Sequence, residues 1–224
     1  AQHIHEKGYF RGAFCALPDY ALAMREELTN IMRNKSHEDL RTLGDMELSD
    51  NASFTRHLTR YVSASDLLSL AYHPELISIV SSYFGFAPTV RSAEVWLTYG
   101  SPHTDDVGTQ IFHRDGDDAR LVKCFIPLSR VTPDNGPFEY LEGSMEVSSM
   151  YEPRRDSSEQ DIARNTSVKR DFNLFSFTGD FGDYLLADTR GLHRGKRVLN
   201  GHRLMIVISY TSPTPWNPVI PIIG

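Results

Sequence analysis

The chain has 224 residues, and its 23 basic and 29 acidic side chains give a formal charge of −6. A hydrophobic fraction of 40% is ordinary for a globular protein with its own core, and the acidic balance argues against nucleic-acid binding, which needs a positive surface. No apolar run approaches the length of a membrane span, and the two cysteines, Cys15 and Cys124, are too few for a disulfide framework. We therefore expect one cytoplasmic domain, 1–224, that is a monomer or homodimer and has no nucleic-acid or membrane partner.

The first part of the chain, 1–87, predicts a strand followed by helices. Aromatic residues in 8–14 fit a short strand, and a proline begins a candidate helix over about 18–33. Residues 75–84 form another candidate helix, which is preceded by proline and followed by glycine. The polar stretch 36–60 has no clear period and is predicted to be a loop that covers an active site.

The second part, 88–224, is dominated by short runs of β-forming residues that turn-forming residues separate. The predicted strands are 89–99, 109–114, 121–128, 138–141, 172–177, 184–187 and 203–210. Helices first and strands later predict a mainly β (α+β) fold, an antiparallel barrel or jelly roll with the N-terminal helices packed on its outside. The segment at about 145–170 is predicted to be an insertion between strands, and its polar part, 151–169, is a second candidate lid.

Nine histidines are many for this length, and His113 stands two residues before Asp115. Alternate side chains of a strand share one face, so both can point together into a barrel mouth. His193, which lies between two further predicted strands, is the best candidate for a third ligand. Two imidazoles and one carboxylate form the facial triad of non-haem Fe(II) oxygenases, which leaves coordination positions open.

Arg203 begins the run Arg203–Tyr210, in which both faces are largely apolar. An arginine that points inward there needs an anion, because an unpaired buried charge is unfavourable by several kcal/mol. Its planar guanidinium suits bidentate binding of a carboxylate. The alternative is an arginine at a strand end that extends to solvent. The combination of Arg203 with the three candidate ligands favours the inward orientation.

A second His-x-Asp pair, His103 and Asp105, competes for the role of metal ligands, but its surroundings indicate a loop instead of a strand end. His202 lies next to Arg203 and would face the opposite way in a strand. The remaining histidines are predicted to lie at solvent or on helix surfaces: His3, His5, His37, His57 and His73.

Together these residues resemble the phytanoyl-CoA dioxygenase family of Fe(II)/2-oxoglutarate oxygenases. The matching motifs are FHRD at 112–115, GPFEYLEGS at 136–144, GDYLLADTRGLHRG at 182–195 and HRLMIVISY at 202–210. Upstream, GYFRGAFCALPDY and HPELISIVSSYFG resemble the family's N-terminal strand-helix and its helix before the barrel. The resemblance covers nearly the whole chain. It implies a cupin-like double-stranded β-helix (jelly roll) in which His113, Asp115 and His193 bind iron, while Arg203 binds the distal carboxylate of 2-oxoglutarate.

The resemblance also bears on three other positions. Some relatives use a glutamine three residues before the first iron-binding histidine to contact 2-oxoglutarate; Gln110 matches it, although strand parity would put Gln110 opposite His113. Many relatives place a small hydroxyl residue two positions after the distal histidine, where this chain has Gly195. Relatives that halogenate lack the triad carboxylate, so Asp115 favours hydroxylation or another oxidation.

The resemblance therefore implies an enzyme that uses Fe(II), 2-oxoglutarate and O2 to hydroxylate a small-molecule substrate, with release of succinate and CO2. Three residues are open candidates for lining its pocket: Trp96, Tyr99 and Lys123. The alternative is a cupin-like metal- or sugar-binding module without oxygenase activity. A jelly-roll epimerase is a third hypothesis, for which the sequence shows no acid–base pair.

Overall fold

A computed structural model describes residues 1–33, 35, 39, 45–46, 55–100, 106, 108–146 and 172–215. The helices are α1 (Gln2–Lys7), α2 (Asp19–Met32), α3 (Ala64–Ala71) and α4 (Pro74–Phe84). The strands are β1 (Tyr9–Ala13), β2 (Asp45–Met46), β3 (Thr55–His57), β4 (Thr89–Tyr99), β5 (Leu121–Pro127), β6 (Phe138–Leu141), β7 (Leu174–Phe177), β8 (Asp183–Ala187), β9 (His193–Gly195) and β10 (His202–Thr211). Short 3-10 turns lie at Thr59–Tyr61, Gly108–Gln110 and Ser144–Glu146.

The strands form two antiparallel sheets. The larger has the order β1-β8-β5-β10-β4-β3-β2, and the smaller has the order β7-β6-β9. An isolated antiparallel bridge between His113 and His193 attaches the segment before β5 to β9. The mainly β character predicted from the sequence is confirmed.

Strand β10 separates two hydrophobic clusters because its side chains alternate between the faces of the larger sheet. Leu204, Ile206 and Ile208 belong to the cluster that the helices cover, with Met24 of α2 and Val80 of α4 among its members. The intervening Met205 and Val207 belong to a cluster shared with the smaller sheet, which contributes Phe138, Tyr140 and Phe177. The helices therefore pack on the outer face of the larger sheet, and the inner face meets the smaller sheet.

Local sequence signals explain the ends of the helix over 74–84. Pro74 occupies its first turn, and Gly85 ends it with a φ of 81°, a left-handed conformation that glycine adopts without strain. The short helix α1 was missed, since six residues give too little periodicity to read.

One predicted strand is corrected by the structure. Residues 109–114 were expected to form a strand, whereas Gly108–Gln110 is a 3-10 turn and His113 makes only an isolated bridge. The chain enters this turn through Gly108, which precedes the expected strand and has a φ of 55°, a left-handed conformation that glycine adopts without strain.

Two predictions from composition can be compared with the described residues. None of their helices combines the length and the hydropathy that a bilayer-spanning segment requires. Both cysteines are free thiols, and Cys124 is buried in strand β5.

Candidate metal centre

Three potential ligands meet at the inner face of the larger sheet. His113 Nε2 lies 3.8 Å from Asp115 Oδ1, and His193 Nε2 lies 3.7 Å from Asp115 Oδ2. One ligand atom from each residue falls within 4.8 Å of the other two. Atoms bound at about 2.1 Å to one ion lie no more than about 4.2 Å apart, so both measured separations suit a shared ion. The predicted set of His113, Asp115 and His193 is brought together.

Backbone hydrogen bonds hold these residues in register. The N–H of His113 donates to the carbonyl of His193 at 2.9 Å, and the N–H of His193 donates to the carbonyl of His113 at 3.0 Å. Two residues later the N–H of Asp115 donates to the carbonyl of Thr189 at 2.9 Å. The distant segments 113–115 and 189–193 are thus fixed side by side.

Each imidazole is oriented by a backbone carbonyl two residues before it. His113 Nδ1 lies 2.8 Å from the carbonyl oxygen of Ile111, and His193 Nδ1 lies 2.9 Å from that of Gly191. A carbonyl oxygen only accepts, so in the neutral ring Nδ1 carries the proton and Nε2 keeps its lone pair. Burial and the neighbouring His113 lower the pKa of His193 to about 3, which keeps its ring neutral at pH 7.

Lys123 on β5 forms an ion pair with the carboxylate of the centre. Its Nζ lies 2.9 Å from Asp115 Oδ2. Burial would by itself raise the pKa of Asp115, but the Lys123 ammonium and the two imidazoles hold it well below its usual range. Asp115 is therefore ionised at neutral pH, as a metal ligand must be. Lys123, which the sequence left as an open candidate for lining the pocket, faces this centre.

Arg203 points inward, as predicted from its apolar surroundings. It is 9% exposed and shares the inner face of β10 with Met205 and Val207. Its Nη2 lies 3.4 Å from Thr98 Oγ1, whereas its Nη1 is buried without a hydrogen-bond partner among the described residues. Burial lowers its pKa to about 10, so the guanidinium remains charged at pH 7. This buried cation is suited to an anionic ligand.

The other predicted site residues lie in different environments. Gln110 is 7% exposed and lies in the 3-10 turn that packs against β9, so the strand-parity objection to it does not apply. Trp96 lies on the inner face, opposite Met205 of β10. Tyr99 has the strand parity of Val95 and Leu97 and therefore points toward the helices.

The position of His57 differs from its prediction, which placed it at solvent or on a helix surface. Its strand position pairs with Trp96, and the two ring centroids lie 5.8 Å apart. Its Nδ1 lies 3.6 Å from Glu94 Oε2. The register of β3 against β4, which local sequence does not show, places His57 on the inner wall. His202 precedes the inward Arg203 and so has the outward parity predicted for it.

Several predictions fall on residues that the structure does not describe. The rival pair, His103 and Asp105, lies outside the described ranges. So do the candidate lid 151–169 and most of the predicted loop 36–60. The described part of that second segment corrects the prediction, since it includes strands β2 and β3.

A buried acid that the sequence analysis missed supports the loop before His193. Asp188 is 0% exposed, and its carboxylate accepts hydrogen bonds from the guanidinium and the backbone N–H of Arg190. Tyr83 of α4 also donates to Asp188, with its Oη 2.7 Å from Oδ2. Arg190 Nη1 in turn donates to the carbonyl of Ala119 at 2.5 Å. The closeness of Asp188 and Arg190 in the sequence was the signal from which this ion pair could have been predicted.

Arg114, between the two ligands of the His-x-Asp pair, completes this support. It donates to the carbonyl of Arg190 at 2.5 Å and to the carbonyl of Ser144 at 2.8 Å. Ser144 Oγ accepts the backbone N–H of Leu192 at 2.7 Å. The positions of all three candidate ligands therefore depend on one connected set of hydrogen bonds.

The fold is similar to that of solved non-haem iron enzymes. The epimerase SnoN, in complex with Fe3+, alpha ketoglutarate and nogalamycin RO, has a TM-score of 0.69 at 15% identity over 100% of this chain and 89% of that chain. The alpha ketoglutarate dependent carbocyclase SnoK from nogalamycin biosynthesis has a TM-score of 0.67 at 15% identity, over 98% and 85%. HygX from Streptomyces hygroscopicus, with nickel, 2-oxoglutarate and hygromycin B bound, has a TM-score of 0.66 at 16% identity, over 98% and 88%.

Sequence comparison adds no family to this likeness. No protein-family profile matches the chain, and no curated protein matches it. The comparisons therefore define the fold of this chain, which it shares with solved structures of iron- and 2-oxoglutarate-binding enzymes. Membership of the phytanoyl-CoA dioxygenase family is not confirmed.

Proposed function

We propose that this chain is an Fe(II)- and 2-oxoglutarate-dependent oxygenase that acts on a small molecule. His113, Asp115 and His193 hold the iron, and Arg203 binds the distal carboxylate of 2-oxoglutarate. The observation that carries the proposal is the meeting of three ligands with a buried, incompletely paired cation inside one fold. Similar structures hold iron or nickel together with 2-oxoglutarate in that fold. The two sheets are accordingly proposed to be those of a double-stranded β-helix.

The residues present fit a divalent metal ion. In the neutral form of each ring, Nε2 has the free lone pair because Nδ1 donates to a carbonyl. The buried Asp115 Oδ2 lies 2.9 Å from Lys123 Nζ and 3.7 Å from His193 Nε2, so it can bind an ion while it remains paired with the ammonium. A bound ion would satisfy these groups at once, and imidazole with carboxylate is a ligand set that iron accepts.

The protein contributes orientation and exclusion of water. Bound iron would supply the chemistry that activates O2 and converts 2-oxoglutarate to succinate and CO2 while the substrate is oxidised. Beneath the centre, the Phe138 ring stacks on His193 with centroids 5.4 Å apart, and Phe125 lies 4.5 Å from Phe138. This apolar floor closes one side of the site to water.

Hydroxylation is the outcome that we propose for the substrate. The resemblance to the phytanoyl-CoA dioxygenase family implies that halogenating relatives lack the triad carboxylate, so the presence of Asp115 favours transfer of an oxygen atom over halogenation. The solved structures of this fold include an epimerase and a carbocyclase, so product analysis must separate hydroxylation from other oxidations. Neighbours hold compounds such as nogalamycin RO and hygromycin B, which supports a small-molecule substrate.

Succinate formation tests the proposal. The purified chain with Fe(II), ascorbate and 2-oxoglutarate in air should release succinate slowly even without its substrate, and should show a 2-oxoglutarate-dependent visible band under argon. Asp115→Ala should abolish both signals, whereas Asp134→Ala, which removes an exposed carboxylate, should keep them. Metal binding without succinate and without the visible band would contradict the proposal and favour a cupin-like binding module.

A further inference from the structure

Glu94 of β4 places a carboxylate on the inner face of the larger sheet. In the register of β4 against β10 it lies opposite Val207 of the inner hydrophobic cluster, and it has the same strand parity as Trp96. The indole Nε1 of Trp96 donates to Glu94 Oε2 at 2.6 Å. The side chain of Glu94 is 33% exposed, so its carboxylate is held on the wall of the site but remains open to a ligand.

His57 of β3 forms a small cluster with these two residues. It pairs with Trp96, and the two ring planes meet at 60°. Its Nδ1 lies 3.6 Å from Glu94 Oε2, and its Nε2 is buried without a hydrogen-bond partner among the described residues. Both contacts of the carboxylate use Oε2, so Oε1 accepts no hydrogen bond from the part of the chain that the structure describes.

Two cations near Glu94 are each paired with another carboxylate. Lys123 Nζ lies 2.9 Å from Asp115 Oδ2, and Arg91 Nη1, three residues earlier on β4, lies 3.2 Å from Asp117 Oδ1. The charge of Glu94 still reaches Lys123, whose pKa it helps to raise. Among the described residues, Glu94 itself is ion-paired only with the neighbouring imidazole, which is charged only when it is protonated.

Glu94 and the candidate metal centre share the inner face and are separated by the width of β10. Strand β10 lies between β4 and β5, with Glu94 opposite Val207 and Lys123 opposite Ser209. Neighbouring strands lie about 4.8 Å apart and each residue advances about 3.3 Å, so the Cα atoms of Glu94 and Lys123 are separated by about 12 Å. Because Lys123 extends to Asp115, a small molecule that contacts Glu94 also reaches the metal centre.

A protonated amine is the ligand that suits this cluster. An ammonium group has only donors, and Glu94 Oε1 would accept a charge-assisted hydrogen bond from it. The partly buried ring of Trp96 would add a cation–π attraction. An anion would be repelled by the carboxylate, and a neutral hydroxyl would leave its charge uncompensated.

We propose that Glu94 is a specificity-determining residue that binds a protonated amino group of the substrate, while Trp96 orients the carboxylate and provides an aromatic wall. The inference rests on the proposed function and adds a substrate class to it, small molecules that carry a basic amine.

Two probes of equal chain length, n-butylammonium and 1-butanol, test the charge preference. NMR titration of the Zn(II)-loaded chain at constant ionic strength should show millimolar binding of n-butylammonium and weaker binding of 1-butanol. Glu94→Gln keeps an acceptor for Trp96 but removes the charge. It should weaken n-butylammonium binding about tenfold, the value of one hydrogen bond to a charged group, and leave 1-butanol unchanged.

A matched control removes the same charge elsewhere. Glu27 is exposed on α2, which packs on the outer face of the larger sheet. Glu27→Gln changes the net charge as Glu94→Gln does and should bind both probes as the wild type does.

Replacing Zn(II) by Mn(II) tests where the amine binds. A paramagnetic ion broadens the NMR signals of nearby protons, so the methyl signal of n-butylammonium should broaden with the Mn(II)-loaded wild type and less with Mn(II)-loaded Glu94→Gln. Asp115→Ala, treated with Mn(II) in the same way, controls for ions bound elsewhere. Binding of n-butylammonium to the Mn(II)-loaded wild type without broadening would place the amine far from the metal and overturn the proposal.

The outcomes distinguish this inference from the proposed function. If n-butylammonium binds the wild type no better than 1-butanol does, or binds Glu94→Gln as well as the wild type, the role of Glu94 is overturned even where succinate is formed. If binding depends on Glu94 but the chain forms no succinate, the oxygenase function fails and the amine site stands. If Glu94→Gln does not fold, the comparison of the two probes on the wild type decides the question.

Discussion

Lys123 Nζ lies 2.9 Å from Asp115 Oδ2, so a buried ammonium neutralises the carboxylate of the candidate metal centre. Burial opposes the charge of Lys123, but Asp115 beside it raises its pKa above the usual value, with further support from Asp117 and Glu94. The ion pair therefore persists at neutral pH in the metal-free protein. A divalent ion entering the centre meets a carboxylate that already has a cation beside it.

Replacing Lys123 by methionine should separate the stability of the metal-free chain from its affinity for metal. Loss of one partner leaves Asp115 buried and unpaired, which lowers the free energy of unfolding by about 3 kcal/mol. Removal of a nearby positive charge should at the same time tighten the binding of Mn(II) or Zn(II). Urea unfolding and metal titration measure the two effects, and weaker metal binding by Lys123→Met would contradict this reasoning.

A surface lysine supplies the control for that variant. Lys196 lies 3.6 Å from Glu139, and its side chain is 37% exposed. Lys196→Met should change the free energy of unfolding by no more than about 0.5 kcal/mol and leave metal affinity unchanged.

Each of the three candidate ligands should be required for metal binding. His113→Ala, Asp115→Ala and His193→Ala each remove one donor of a three-donor set, and we expect at least a hundredfold loss of Mn(II) affinity. Asp105→Ala, which removes the carboxylate of the rival His-x-Asp pair, should bind Mn(II) as the wild type does. Equilibrium dialysis against Mn(II) measures both. Retained binding in Asp115→Ala together with loss in Asp105→Ala would transfer the site to the rival pair.

The sequence predicted these ligands because short-range spacing carries much of their geometry. His113 and Asp115 are two residues apart, and the apolar alternation around Arg203 indicated an inward side chain. Both inferences need only the period of a strand. The expected strand 109–114 was nevertheless a turn and an isolated bridge, so the pair came together through the bridge to His193 instead of through sheet pairing.

Contacts set by the pairing of distant segments could not be predicted. His57 faces Trp96, and Lys123 reaches Asp115, only because of how separate strands and turns pair in three dimensions. A single sequence carries no signal for that register when strand ends are short or polar. Asp188 was missed for a related reason, since its partner Tyr83 lies 105 positions away on α4.

Replacing Arg203 by methionine should stabilise the protein while abolishing its binding of 2-oxoglutarate. A buried cation without a carboxylate partner among the described residues destabilises the ligand-free fold, and methionine fills similar space without charge. We expect the free energy of unfolding to rise by about 1–2 kcal/mol and the 2-oxoglutarate affinity of the Mn(II)-loaded chain to fall at least a hundredfold. Calorimetry and urea unfolding provide the test, and unchanged affinity would remove Arg203 from the proposed site.

Asp188 should matter for metal binding although it touches no metal ligand directly. Asp188→Asn weakens the contact that fixes Arg190 and the loop leading to His193, and we expect a loss of about 3 kcal/mol in unfolding free energy. Metal affinity should fall as well, because His193 would be held less firmly. Tyr83→Phe removes only one hydrogen bond to the same carboxylate, and its cost should be about 1 kcal/mol. Equal effects of the two variants would contradict a central role for the Asp188–Arg190 pair.

The metal-free protein should lose stability as the pH falls below about 6.5. The pKa of His193 is lowered to about 3 by burial and by His113, so the folded state keeps this ring neutral while the unfolded chain takes up a proton. The unfolded state then binds more protons, and stability decreases toward acid by about 1.4 kcal/mol per pH unit for this group. Burial lowers the pKa of His202 too, which adds to the slope in the same direction. The free energy of unfolding can be measured with urea and a chelator between about pH 4.5 and 7.5. Its slope against pH should be shallower in His193→Gln than in the wild type, by an amount that corresponds to about one proton. Equal slopes would show that His193 is protonated in the folded state.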